Sequence, residues 1–409
     1  MKFVKITINQ VGFKLLLTLA HQISTLISIP LLASLVSPLE FGKVAMCLIL
    51  LQISLFIGEW GVPNYSIELL SKGSKKKDKK DFLQTIIAFK LICFIILLLV
   101  YILLIQFVFV DLNYIFFLVL IPSLLFHLFD LSWFFSLINK THRIVTVTII
   151  ARMLFLVGVF FLIKNDMDSY KYLLFHGASL GIISLYSFYV LVKIDYIDRW
   201  PSIKFLTQKI YHLKKSYIFF LTNLTDNQFP LIWSFVISII GGASMVFLFS
   251  LADQIFRAIA NISVLISQTI RINLSFKSKN NLFKTINFFV FLGVIFSIIG
   301  YMYIEQFLSI FFNDDFMEPI SLAKLIIIPA AIHYFIRLIN FPLFAEYYDV
   351  NFANKVSIRV FWFSATLFGC WAFFSKNLSL LIFLMSISLG IHLLIIIFFL
   401  IKAKKVNKL

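Results

Sequence analysis

Residues 193–215, KIDYIDRWPSIKFLTQKIYHLKK, form a polar, basic stretch near the middle of a 409-residue chain that is otherwise mostly apolar. About six hydrophobic runs precede it and six follow. Six spans, a basic connector and six further spans are the layout of a two-lobed membrane carrier. The expected domains are a six-helix lobe over 1–192, a cytoplasmic connector over 193–215, and a second six-helix lobe over 216–409 with a basic cytoplasmic tail. Within the connector, Ile203, Leu206, Ile210 and Leu213 recur at helical spacing between Lys204, Lys209, Lys214 and Lys215. That spacing predicts a basic amphipathic helix lying in the membrane interface.

Composition excludes a soluble globule. Hydrophobic residues make up 61% of the chain and charged residues 13%, where globular domains run near half and about a quarter. The 50 Phe residues belong against lipid or inside a helix bundle. Cys47, Cys93 and Cys370 sit in apolar runs without metal-ligand spacing and read as small buried hydrophobes. The first apolar run is too long for a cleavable signal and lacks a small-residue cleavage site, so it is expected to stay as a span.

Runs of about 20 apolar residues without polar alternation cross a bilayer as helices, not strands. The expected spans are 11–36, 41–63, 82–110, 114–138, 144–163, 171–192, 216–240, 243–271, 285–312, 320–345, 356–375 and 378–401. Lys and Arg gather on alternate connectors, the pattern the positive-inside rule requires when both termini are cytoplasmic. They lie at Lys72–Lys80, Lys140 with Arg143, the central stretch, Arg271–Lys284, Lys355 with Arg359, and the tail from Lys402. The opposite connectors hold only Lys43, Lys164, Lys171 and Lys376 and are short, as at 111–113, 241–242 and 313–319. The net charge of +17 thus marks orientation, and no nucleic acid is implied. The polybasic segment 71–80 reads as a solvated orientation signal or a contact for anionic membrane lipids. Connectors this short leave no room for an external catalytic domain.

A charge kept within a span normally faces a cavity or a partner, since its insertion costs about 2.5–3.5 kcal/mol at the bilayer centre. In the eighth span Ser250, Asp253, Arg257, Asn261, Gln268 and Arg271 fall on one stripe, with Phe, Leu, Ile, Val and Ala elsewhere. The stripe predicts a water-lined face, although Asp253 and Arg257, four residues apart, would also neutralise each other. The seventh span carries Asn223, Asp226, Asn227, Pro230 and Ser234 on one side. Asp130 and Arg152 are expected at matching depth on adjacent helices, either as an ion pair or as ligand contacts. Lys90, Arg152, Arg257 and Arg337 together form an expected basic lining suited to an anionic group such as a phosphate. Asp130, Asp226, Asn227, Asp253, Asn261, Gln268 and His333 are the candidates for sugar contacts or ion coupling. His127, His176, His333 and His392 either pack through hydrogen bonds or titrate in a proton-coupled cycle. Trp133 and Trp233 either stack on a sugar ring or pack. The spans hold no metal-ligand cluster, no nucleophile with its base and no phosphate loop, so neither enzyme activity nor a cofactor is expected. Paired prolines, Pro30 with Pro230 and Pro122 with Pro329, suit lobes related as parallel repeats.

Three segments carry a family resemblance. IPLLASLVSPLEFGKVAMCL, 29–48, resembles the first-loop signature of bacterial polysaccharide flippases, with Glu40-Phe41-Gly42 as its most specific piece. DLSWFFSLINKTHRIVTVTIIARMLFLVGVFFLIKND, 130–166, is similar to that family's fourth and fifth spans, and VFLFSLADQIFRAIANI, 246–262, to its eighth. The resemblance implies an all-α, twelve-helix carrier of the multidrug, oligosaccharidyl-lipid and polysaccharide exporter superfamily. Its substrate would be an undecaprenyl-pyrophosphate-linked oligosaccharide, flipped by alternating access across the bacterial cytoplasmic (inner) membrane for O-antigen-like surface polysaccharide of the lipopolysaccharide kind. Proton or sodium coupling and association with polysaccharide polymerase machinery belong to the same expectation. The alternatives are a cation-coupled multidrug exporter of related fold and a membrane polysaccharide polymerase.

Overall fold

The computed structural model describes residues 2–63, 65–66, 75–107, 112–138, 140–197, 210–226, 229–274, 279–312, 314–339, 350–375 and 377–406, and every regular element among them is helical. The α-helices are α1 (Lys2–Ala33), α2 (Pro38–Glu59), α3 (Lys76–Phe107), α4 (Tyr114–Leu128), α5 (Ser132–Leu137), α6 (His142–Leu162), α7 (Tyr170–Lys193), α8 (Tyr211–Asp226), α9 (Phe229–Leu274), α10 (Lys279–Ser309), α11 (Met317–Leu325), α12 (Ile327–Ile339), α13 (Val350–Phe374) and α14 (Leu378–Val406). Among the described residues, ten segments are long and apolar enough to cross a membrane, and the chain is a multi-pass membrane protein. Over their described residues, all twelve expected spans fall mainly on helices. Two of them share α9, which Gly242 divides: its backbone, φ 60° and ψ −158°, lies in a region open essentially to glycine alone.

α6 shows how sequence sets orientation. Ile144, Val145, Thr148, Ala151, Arg152, Phe155, Gly158 and Val159 are buried, while Ile150, Met153, Leu154, Val157, Phe160 and Phe161 are exposed. Both faces are greasy, as lipid demands, and the inward one is marked by small and polar residues. Arg152 lies on that inward face.

Two expected spans are broken within the described residues. The fourth stops at Leu128 and resumes at Ser132. The break is sealed by side chains: Ser184 Oγ donates to the Phe129 carbonyl at 2.9 Å, and Lys90 Nζ to the Asp130 carbonyl at 3.3 Å. The Ser132 N–H donates to Asp130 Oδ1 at 2.8 Å. Backbone groups freed inside a membrane need such partners. The tenth span breaks at Ile326, three residues before Pro329, whose ring clashes with a carbonyl four residues earlier in a continuous helix.

The chain forms two units, Met1–Leu221 with Phe235–Val246 and Thr222–Ser234 with Phe247–Leu409. In the first, α7 packs against α4 and α6, α1 against α6, and α2 against α3 and α4. Phe82, Ile86, Phe134, Phe135, Ile183 and Leu191 are among its core side chains. In the second, α12 packs against α10 and α14, α11 against α10, and α13 against α14.

Only the two ends of the connector expected to hold an interfacial helix, 193–197 and 210–215, are among the described residues. Residues 198–209 lie outside the described residues, and Tyr211–Lys215 is the first turn of α8, which continues to Asp226. Leu213, expected on the helix's membrane face, is instead buried in the core of the first unit, where Trp60 Nε1 donates to its carbonyl at 3.3 Å. Trp60 also stacks on Phe220, ring centroids 4.6 Å apart, and Gly61 lies against the backbone of Ser216 and Phe219.

The Glu40-Phe41-Gly42 motif is a packing junction. Glu40 accepts from Lys43 Nζ at 2.6 Å and from Ser169 Oγ, at the start of α7, at 2.8 Å. Asp166 Oδ1 accepts the Ser37 N–H at 2.5 Å, and Phe41 is buried. Gly42 lies against the Ala243 backbone so closely that a Cβ there would collide with its carbonyl oxygen.

Candidate functional site

The first unit contains a cluster of polar side chains from six helices and the break after α4. Arg152 is 4% exposed and its Nη2 lies 2.6 Å from His21 Nδ1 of α1. His127 of α4 and His176 of α7 face each other with ring centroids 6.2 Å apart, and both act electrostatically with Arg152. Ser28 and Tyr172 share a hydrogen bond of 2.8 Å beside them. Lys90 of α3 has no exposed surface, and its charged neighbours are Glu59 and Asp130. Asp130 is in turn the first charged neighbour of Arg152.

The expected partnership of Asp130 and Arg152 is therefore corrected: Arg152 hydrogen-bonds His21, while the Asp130 carboxylate caps the Ser132 amide at the helix break. Among the described residues the two act on each other at a distance, without an ion pair. Helix-by-helix depth counting placed Asp130 in a continuous span, and the break moves its carboxylate onto the backbone. His21 and Glu59 are members that sequence reasoning missed. Each is a lone polar residue in an apolar run, and His21 meets its partner 131 residues away. The only advance signal is that a membrane span rarely carries such a residue without use.

In the second unit Asp253, 7% exposed, lies 2.7 Å from Arg257 Nη2 through Oδ2 and accepts the Ser234 hydroxyl at 2.7 Å through Oδ1. Ser234 stands on the arm of α9 before Gly242 and Asp253 on the arm after it, so the carboxylate joins the two arms. Asn261 is half-buried farther along α9. His333 and Arg337 are buried on α12, and the His333 ring packs 5.2 Å from Phe256 of α9. The Asp226 and Gln268 side chains and all of Asn227 lie outside the described residues. Among the described residues no group of His, Cys, Asp and Glu is arranged to hold a metal ion.

A helical membrane chain with this order of elements has the fold of the MOP-superfamily transporters. An inward-facing multidrug resistance MATE family transporter of that superfamily aligns over 95% of this chain and 96% of its own, with TM-score 0.67 and 14% identity. Lipid II flippase MurJ, in an inward closed conformation, aligns over 95% and 87%, with TM-score 0.69 and 14% identity. A MOP superfamily transporter from Pyrococcus furiosus, described as having reversed polarity in its binding pocket, aligns over 98% and 96%, with TM-score 0.59 and 12% identity. No protein-family model matches the sequence. No curated protein matches it either.

Proposed function

We propose that this chain is a flippase of lipid-linked oligosaccharide, moving undecaprenyl-pyrophosphate-linked repeat units across the bacterial cytoplasmic membrane by alternating access, with both termini cytoplasmic. The observation that carries this reading is the state of the acidic groups. Asp253 is engaged by Arg257 and Ser234, Asp130 by the Ser132 amide, and Glu59 has Lys90 as its first charged neighbour. A carrier of cationic drugs needs a carboxylate open to its substrate; Asp253 and Asp130 are taken by the protein's own donors, and the charge of Lys90 acts on Glu59. Lys90, Arg152, Arg257 and Arg337 remain the candidate pyrophosphate contacts, with Arg the better suited for its forked donors. Asp226, Asn227, Asn261, Gln268 and His333 remain candidates for sugar hydroxyls or coupling. The short described connectors, such as Ser34–Ser37 and Ile163–Ser169, support a carrier over a polymerase with an external catalytic loop.

The test is a deletion strain complemented with the wild type, Arg257→Ala or Arg337→Ala. Loss of surface polysaccharide in the variants, at unchanged protein level in the membrane, is expected. Normal polysaccharide in the deletion strain, or altered drug susceptibility in its place, would contradict the reading.

A further inference from the structure

Asp253 divides its two oxygens between different partners. Ser234 Oγ donates to Oδ1 at 2.7 Å, and only Oδ2 is left for Arg257, whose Nη2 lies 2.7 Å away. A guanidinium and a carboxylate pair best side by side, two N–H groups against two oxygens. Ser234 prevents that match by holding one of the oxygens. Its effect shows on Arg257: Nε and Nη2, the two nitrogens of one edge of the fork, are buried, and neither has a hydrogen-bond partner among the described residues. The contact with Asp253 is thus a close ion pair without an aligned hydrogen bond.

Buried donors without partners cost free energy, and a group that fills them supplies what a single carboxylate oxygen cannot. A phosphate carries several acceptor oxygens on one centre and can face that edge with two of them. A halide offers only one point of contact. Of the pair, Arg257 is the more accessible, with 20% of its side chain exposed against 9% for Asp253. An arriving anion therefore meets the guanidinium first. Asp253 opposes the anion as a like charge beside the same cation, so the carboxylate sets how readily Arg257 is given up.

We propose that Ser234 and Asp253 are positioning residues that set the affinity of Arg257 for a phosphate group. Ser234 keeps the pair of Asp253 and Arg257 at a single point of contact, and the guanidinium passes to the phosphate when one arrives. Ser234 stands on the arm of α9 before Gly242 and the pair on the arm after it, so the first arm tunes a contact made by the second. The inference rests on the reading of Arg257 as a pyrophosphate contact and adds to it how that contact is held ready.

The experiment is calorimetric titration of inorganic pyrophosphate into the purified full chain in phosphatidylcholine nanodiscs, for the wild type and three variants. Asp253→Asn keeps an oxygen for Ser234 and removes the charge, so it should bind about tenfold more tightly, the scale of a partly exposed ion pair. Ser234→Ala frees Oδ1 to complete the fork with Arg257, so it should bind about threefold to tenfold more weakly. Arg257→Met should not bind. A role in packing alone would move the two conservative variants in the same direction, whereas the proposal moves their affinities in opposite ones. Equal binding by the wild type and Asp253→Asn, or unchanged or tighter binding by Ser234→Ala, would overturn the inference and leave the flippase reading in place. Absence of binding in the wild type and Asp253→Asn alike would overturn it together with the reading of Arg257. Undecaprenyl pyrophosphate included in the disc should compete with the inorganic ion. Its failure to compete would assign the site to a free phosphate and contradict the flippase reading alone.

Discussion

Asp253 holds the two arms of α9 together, and its removal should weaken the second unit in steps that can be told apart. Its carboxylate accepts the Ser234 hydroxyl and forms an ion pair with Arg257 Nη2, each at 2.7 Å. A hydrogen bond to a charged acceptor contributes about 1.5–3 kcal/mol. Removing one partner of a fully buried ion pair costs about 3–5 kcal/mol. The Arg257 side chain keeps 20% of its surface exposed, so water takes up part of the lost interaction and the pair is placed at about 1–2 kcal/mol, nearer the exposed limit. Asp253→Ala should therefore cost about 2.5–5 kcal/mol. Asp253→Asn retains an oxygen for Ser234 and should cost about 1–2 kcal/mol. The assay is the apparent thermal midpoint of the purified chain in detergent for both variants, Arg257→Met, and the Asp253→Ala/Arg257→Met double variant, read as a double-mutant cycle. The double variant should recover part of the loss, since no unpaired guanidinium then remains. Equal losses for Asn and Ala, with additive behaviour in the double variant, would refute the assignment of both partners.

Other positions give separate checks. Lys90→Met leaves Glu59 and Asp130 without their buried cation and should lower the thermal midpoint, and Glu59→Gln in the same chain should restore part of it. Gly42→Val drives a side chain into the Ala243 carbonyl and should cost at least about 1–3 kcal/mol, seen as reduced yield and midpoint, whereas the same change at Gly369, with open space around it, should be mild. Tyr172→Phe removes the Ser28 partner and should cost about 1 kcal/mol, with Ser28→Ala in the same chain adding little. Gly61→Ala, at φ 72° against the Ser216 and Phe219 backbone, should loosen α8 and expose its first turn to proteolysis at Lys214 and Lys215.

The helical architecture was legible because membrane insertion writes it into composition. Every span needs a long apolar run, and the placement of Lys and Arg between the runs sets the expected orientation. The reversal at Gly241–Gly242 was legible for the same reason, as a glycine pair between two such runs. The breaks at Phe129–Leu131 and Ile326 were not, because both halves stay apolar and the partners that seal the first, Ser184 and Lys90, come from distant spans. The candidate site was half legible. Arg152, Lys90 and Asp253 stand out as charges within spans, and the Asp253–Arg257 pair follows from helical spacing alone. Who meets Arg152 depends on the packing of α1 against α6, a tertiary fact, and the sequence favoured a nearby carboxylate over a histidine 131 residues away. Of the connector's apolar stripe, Leu213 serves the core of the first unit and Ile210 is exposed, while Ile203 and Leu206 lie outside the described residues.

The central claim is that the chain carries an anionic, lipid-linked substrate. Its most direct test is reconstitution of the purified full chain into proteoliposomes containing undecaprenyl-pyrophosphate-linked oligosaccharide on one leaflet, with the sugar's exposure to an impermeant oxidant followed over time. The account predicts sugar crossing with the wild type and its loss in Arg257→Ala, while a cationic dye in the same vesicles is not moved. Dye transport without sugar crossing would contradict it.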